Sequence, residues 1–389
     1  MSATVGAVPF GIYVHVPFCA ARCGYCDFNT YTPSELAGSG ASPEGWLAAV
    51  RGELSLAAAV AGPRPVDTVF VGGGTPSLIG ADRLGAVLDA VRDAFGLAPG
   101  AEVTTEANPE STSPEFFAGI AEAGFTRVSL GMQSAAPHVL RVLDRRHTPG
   151  RAIAAVREAR AAGIEHVNLD LIYATPGETV DDLRGSLDSV LAADVDHVSA
   201  YSLIVEDGTA LARRVARGEL PAPDDDVAAE RYELIDDVLS AAGFAWYEVS
   251  NWARGAGAAC RHNLGYWCDG DWWGAGPGAH SHLAGRRWWN VKHPARYAAL
   301  LAAGQSPEAG AEELTEAERA TERVMLGLRL AAGLPAGLLD EAGRAAAGQA
   351  AAEGLLDPVA LAAGRAVLTR RGRLLADRVV RDLLAATPA

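Results

Sequence analysis

Six short runs rich in Val, Ile and aromatic residues mark the first half of the chain: "GIYVHV", "VDTVFV", "AEVTTE", "FTRVSL", "HVNLDLI" and "DHVSAYSL". Each has the length and composition of a strand. Between them lie Ala/Leu-rich stretches, Pro43 to Ala61, Ala81 to Phe95, Pro114 to Ala123, Gly150 to Ala162 and Thr179 to Ala193, with apolar residues at helical spacing. Several open on Pro, Ser or Thr and close on Gly, as helices do. Strand and helix alternate about six times, which predicts a parallel sheet with helical crossovers, either doubly wound or a complete or partial barrel of β/α units. The unusual residues fall at strand ends: three cysteines after the first, "GGGTPS" after the second, Glu106 after the third and Gln133 after the fourth, with Asp170 on the fifth. A dinucleotide-binding fold would carry its glycine fingerprint after the first strand, so the barrel is the better reading.

Beyond Ala242 the texture changes. Seven of the eight tryptophans fall between Trp246 and Trp289, together with His262, His280, His282 and His293. From Glu312 helical runs lead into "GLLDPVALAAGRAVLTRRGRLLADRVVRDLLAA", which reads as helix, short hairpin and helix in the manner of a winged helix. The expected division is a core over residues 1–243, an aromatic-rich segment packed on it over 244–311 and a small C-terminal domain over 312–389. That last part has 10 arginines against 11 acidic residues, a balance that favours packing or partner contact over DNA binding.

Composition narrows the function. Across 389 residues, 33 basic against 48 acidic side chains give −15, which argues against nucleic acid as the main partner. No apolar run approaches the roughly 20 residues of a membrane helix. The start, "MSATVGAVPF", lacks the basic and apolar regions of a secretory signal, so a reducing cytoplasmic location is expected and disulfides are not. Lys292 is the only lysine, which leaves arginine to meet acidic ligands and deprives "GGGTPS" of the lysine a phosphate loop needs.

The three clustered cysteines, Cys19, Cys23 and Cys26 in "YVHVPFCAARCGYCDFNTY", need another account. A structural zinc wants four ligands, and a second C-x-x-C pair is absent, although His15 is nearby. An iron-sulfur cube can take three thiolates and leave its fourth iron open to the amino and carboxylate groups of S-adenosylmethionine. The bland alternative is a set of buried, unliganded thiols.

With those residues goes "VFVGGGTPS", "TEANP", "SLGMQS", "LDRRH" and "NLDLIYATPGET", in that order. The chain thereby resembles the radical S-adenosylmethionine superfamily, in its oxygen-independent coproporphyrinogen III oxidase-like family. The resemblance implies an α/β fold: a partial (β/α)6 TIM-like barrel with a small α+β, winged-helix-like C-terminal domain. It also implies a [4Fe-4S] cluster on Cys19, Cys23 and Cys26, with Tyr13 and Tyr25 beside S-adenosyl-L-methionine. Gly73, Gly74 and Thr75 would receive the methionine end, and Glu106, Gln133, Arg145 and Asp170 complete the set. These types suit the ligand: carboxylates meet an ammonium or ribose hydroxyls, and arginine holds a carboxylate.

The decarboxylating oxidases carry a further cysteine where this chain has Phe28, and "CDFN" resembles instead the heme chaperone HemW branch. "CRHNLGYW" agrees, for it holds His262, Asn263, Tyr266 and Trp267 in the H-N-x-x-Y-W pattern which that branch links to heme binding. A neutral imidazole ligates heme iron well, aromatic faces suit a porphyrin, and Arg261, Arg286 and Arg287 are candidates for its propionates. The competing reading is a hydrogen-bonded structural histidine in an aromatic segment that closes the barrel. Cys260 and Cys268 are open as buried thiols, heme contacts or attachment points. The expected function is a heme chaperone that passes heme to an acceptor protein and draws on an electron donor. The alternatives are oxidative decarboxylation of coproporphyrinogen III and radical methyl transfer or cyclopropanation, and no catalytic residue is assigned.

Overall fold

The computed structural model describes residues 9–145, 147–255 and 257–385. Most of the start read above for a leader, and the last four residues of the expected C-terminal domain, lie outside them. Twelve strands form one sheet: β1 (Phe10–Val16), β2 (Val66–Gly73), β3 (Leu97–Ala107), β4 (Arg127–Gln133), β5 (His166–Tyr173), β6 (His197–Ser202), β7 (Ala245–Glu248), β8 (Asn251–Ala253), β9 (Asp271–Ala275), β10 (His280–Leu283), β11 (Arg286–Asn290) and β12 (Glu308–Glu313). Their order is β12-β11-β10-β9-β1-β2-β3-β4-β5-β6-β8-β7. Strands β1 to β6 are parallel neighbours in chain order, the arrangement of a partial barrel of β/α units.

The helices lie where their caps put them. Ser42 Oγ accepts from Gly45 N at the start of Pro43–Ala61, and Ser113 Oγ accepts from Phe116 N at the start of Pro114–Ala123. Thr179 and Asp182 form a capping box before Val180–Ala192. Trp46, Val50, Leu54 and Ala57 form the buried stripe of the first of these helices, against a core that holds Ile12, Val14, Val69 and Val71. Each fully buried aliphatic side chain contributes about 1.5–3 kcal/mol.

The aromatic segment extends this sheet on both sides. Strand β9 runs parallel to β1 on the side away from β2, a strand the hydrophobic pattern does not predict, while β8 pairs antiparallel with β6. Glu53, 1% exposed, ties β9 and its neighbours to the first crossover helix. It accepts from Gly276 N (2.9 Å), Asn290 Nδ2 (2.7 Å) and Tyr297 Oη (2.5 Å).

A second apolar cluster, including Leu328, Leu334, Leu356, Val379 and Leu383, lies in the C-terminal residues. Arg373 bridges it to the core through both carboxylate oxygens of Asp236. The hairpin expected within "GLLDPVALAAGRAVLTRRGRLLADRVVRDLLAA" is not formed as such. Arg365 and Ala366 pair with Leu334 and Pro335, upstream of that stretch, and only a Leu356–Leu368 bridge links its own two arms. Thr369 caps the helix Arg370–Leu374, so the chain turns into helix where a second strand would continue. No helix among the described residues is long and apolar enough to cross a membrane.

Candidate functional site

The C-terminal ends of the parallel strands open into a cavity of about 1120 Å³. Cys19, Cys23 and Cys26 line it on the loop after β1. Backbone bonds fix that loop: Cys19 N donates to Tyr31 O (3.0 Å), Gly24 N to Leu143 O (3.1 Å), and Gly24 O accepts from Leu211 N (2.8 Å). Polar groups already aim at the sulfurs. Thr75 Oγ1 is 3.6 Å from Cys19 Sγ, and Arg145 Nη1 is 3.4 Å from Cys23 Sγ. Burial raises the Cys19 thiol and pushes Cys26 up to about 11, so these groups are protonated near neutral pH until a metal displaces the protons. No three His, Cys, Asp or Glu side chains among the described residues stand ready to hold a single ion. A cubane cluster asks for a different arrangement, since each thiolate binds a different iron. Three thiols with hydrogen-bond donors aimed at them, in a mouth with open space above, fit that group.

The second strand ends in a cradle of bare backbone. A Cβ on Gly73, whose φ is +112°, would lie 2.5 Å from the His15 ring, and one on Gly74 would lie 2.5 Å from Phe18 O. Only glycine lets β2 pass this close to the start of the cysteine loop. Gly73 N donates to Glu106 Oε2 (3.0 Å), which joins the ends of β2 and β3. Gln133 ends β4 at φ 67°, beside a register shift against β5 that re-aims its side chain.

Arg145 donates from Nε to His147 Nε2 (2.7 Å) and from Nη2 to Gly131 O (3.2 Å), which leaves Nη1 facing Cys23. Burial, reinforced by Asp170, pushes Glu106 up to about 8, and burial also raises Asp170. Tyr25, Gly73, Gly74, Thr75, Glu106, Gln133, Arg145 and Asp170 all line the cavity. Tyr13 is not among its lining: its hydroxyl is 3.0 Å from His15 Nδ1, and its ring stacks on Phe70.

The sequence reading passed over the polar floor beneath these groups. Asp170 accepts from Ser129 Oγ (3.1 Å) and Asn168 Nδ2 (2.7 Å). Asn168 Oδ1 is 2.7 Å from His197 Nδ1, and His197 Nε2 is 2.7 Å from Tyr247 Oη. Polar residues at alternate positions, Asn168 and Asp170 on β5 and His197, Ser199 and Tyr201 on β6, are the signal that would have found them.

His262 is placed otherwise than expected. The helix Arg261–Trp267 closes the opposite, N-terminal end of the barrel, where Thr68 Oγ1 is 2.8 Å from His262 Nδ1 and Tyr266 Oη is 2.7 Å from Nε2. The imidazole is 3% exposed and stacked on Phe70, and burial holds it neutral at about 4. The free space beside it is about 10 Å³, room for about one water. With both ring nitrogens engaged, His262 offers no axial ligand in this conformation, and the Tyr266 hydroxyl is engaged with it. The arginines expected for propionates are engaged as well: Arg261 with Gly100 O, Arg286 with Glu308 and Arg287 with Glu322. Cys260 is a buried thiol 3.5 Å from Glu102 Oε1, whereas Cys268 is exposed.

Known proteins share both sequence and fold with this chain. The radical SAM superfamily profile matches residues 13–190. Heme chaperone HemW of Mycobacterium tuberculosis (strain ATCC 25618 / H37Rv) is 64% identical over 376 residues, which cover 97% of this chain and 95% of that one. Heme chaperone HemW of Bacillus subtilis (strain 168) is 34% identical over 325 residues, 83% of this chain and 84% of the relative. The solved structure of coproporphyrinogen III oxidase (HemN) from Escherichia coli, a radical SAM enzyme, superposes with a TM-score of 0.81 at 21% identity, over 98% of this chain and 90% of that one. That likeness is one of fold.

Proposed function

The chain belongs to the radical SAM superfamily and, within it, to the heme chaperone HemW family, and from that premise we propose that it binds heme and delivers it to an acceptor protein. The observation that carries the reading is the 64% identity to a heme chaperone over 97% of the chain. Phe28 in place of the oxidases' further cysteine supports it.

Cys19, Cys23 and Cys26 hold a [4Fe-4S] cluster in this reading, and S-adenosylmethionine lies between that loop and the strand ends. When bound, the pair supplies one-electron reductive cleavage of a sulfonium carbon-sulfur bond, with the electron coming from a separate donor. The chain's own residues position and screen. Gly73 and Gly74 admit the methionine end against bare backbone, Thr75 adds a hydroxyl, and Arg145 balances negative charge beside Cys23. Glu106 and Asp170 face the ammonium or ribose, while Gln133 donates and accepts. Five free cysteines suit a reducing cytoplasm.

Glu106 gives this arrangement a pH dependence. At about 8 against an ordinary 4.5, it carries a proton at neutral pH that it has to release before pairing with a cation. Affinity for S-adenosylmethionine therefore rises with pH below 8, by up to about tenfold per unit. Calorimetric titrations at pH 6.5 and 7.5 on wild type and Glu106→Gln check this, and parallel pH profiles would refute it. In the ligand-free chain the same group lowers stability as pH climbs from 4.5 through about 8, because the folded state keeps a proton the unfolded chain has lost.

The functional test offers anaerobically reconstituted protein, with reductant and S-adenosylmethionine, coproporphyrinogen III in one arm and hemin in the other. Expected are saturable hemin binding and no carbon dioxide loss from the porphyrinogen by mass spectrometry. Decarboxylation at many turnovers would establish the oxidase instead.

A further inference from the structure

We infer that heme binds across the mouth of the large cavity, over the cysteine loop, and not at His262. This deepens the proposed carrier function and rests on it. Small-molecule and cofactor pockets usually occupy about 300–1,000 Å³. The 1120 Å³ cavity exceeds that range, whereas the space at His262 is about 10 Å³. Its lining runs from the strand-end residues Glu106 and Asp170 out to exposed side chains on the solvent side.

The lining on that side has the chemistry of a porphyrin face. Phe28, Leu78, Tyr201 and Ile204 all line the cavity, and they are 58%, 41%, 43% and 64% exposed. They come from three separate loops or strand ends, after β1, after β2 and around the end of β6, so no local sequence pattern accounts for their meeting. Exposed large apolar side chains that converge on one opening mark a binding surface.

Charge sets the orientation. Four arginines line the cavity, and three are committed: Arg22 to Glu35, Arg127 to Glu102, and Arg145 to Cys23, Gly131 O and His147. Arg141 is exposed and its guanidinium has no partner among the described residues. It is the free cation for a propionate, while the other charged groups toward the mouth, Asp27, Glu110, Asp144 and Glu206, are acidic and disfavour a carboxylate elsewhere. Phe28 is then a face of the heme site at the position where an oxidase would carry a thiol. Heme at the mouth also covers the way to the strand ends, so S-adenosylmethionine enters before it and leaves after it.

The test titrates hemin into the full-length, anaerobically reconstituted protein. It compares wild type with Arg141→Glu, Ile204→Asp and Phe28→Ser, with iron, sulfide and melting temperature measured on each. Ile204 and Arg141 are not part of the cysteine loop and their side chains make no hydrogen bond to it, so their variants keep the test valid if Phe28→Ser disturbs the cluster. Expected is a loss of hemin affinity of about tenfold or more in Ile204→Asp and Arg141→Glu with cluster content unchanged. A slower release of radiolabelled S-adenosylmethionine from the hemin-loaded wild type is expected alongside. If wild type binds saturably and these variants match it, or if His262→Gln alone abolishes binding, the placement is overturned and the carrier function stands. If wild type takes up no hemin saturably, the carrier function falls, and this inference with it.

Discussion

Cys23→Ser leaves a folded protein without its cluster: after anaerobic reconstitution, iron and sulfide fall from about four of each per chain to near zero. The loss is complete because a three-thiolate loop has no spare ligand, and a serine hydroxyl does not replace a thiolate on iron. Folding survives because the loop is held by main-chain bonds, from Cys19 N to Tyr31 O, Gly24 N to Leu143 O and Leu211 N to Gly24 O, none of which involves a sulfur. Chemical iron analysis, the charge-transfer absorption and a thermal melt read the two effects separately. Undiminished iron would refute the ligand assignment.

Glu102→Ala has the largest expected effect on stability, about 3–5 kcal/mol. Its carboxylate, 5% exposed, accepts from Arg127 Nε (3.2 Å), from the backbone N–H groups of Arg261 (3.1 Å) and His262 (3.0 Å), and from the Cys260 thiol. One side chain thus neutralises a 2% exposed guanidinium and caps the helix that seals the barrel. Without it, Arg127 is a buried charge with no counter-ion. A shift of the urea midpoint at constant slope measures the change, and faster amide exchange across residues 261–267 should accompany it. A loss below about 1 kcal/mol would mean that the floor is held by packing alone.

The barrel was legible because its signals are local. Alternation and β-branched content mark β1 to β6, and Ser42, Ser113 and Thr179 announce helix starts that the structure places on the same residues. That these residues meet in one cavity was legible for the same reason: a cysteine loop, a glycine cradle and carboxylates each close a strand whose place in the sheet follows from its order in the chain. What was not legible depends on distant partners. In "CRHNLGYW" His262 reads as a heme ligand or as a hydrogen-bonded structural histidine, and the partner that decides between them, Thr68 at Nδ1, is 194 positions away. Arg287 reads as a free guanidinium, yet Glu322 takes its fork. Strand β9 was missed because "DWWGA" is short and aromatic, and its place beside β1 comes from tertiary pairing. At the mouth, Phe28 stands out in the sequence only for the cysteine it replaces and Ile204 not at all, and it is the fold that leaves both exposed on one cavity.

The most direct test of the carrier function is the stoichiometry of hemin uptake. Reconstituted protein of known iron and sulfide content is titrated with hemin under anaerobic conditions, with the Soret band followed to its plateau. Saturation at about one hemin per chain, with the cluster absorption intact, is the expected result. A band that grows linearly without a plateau, as for nonspecific adsorption, would contradict it.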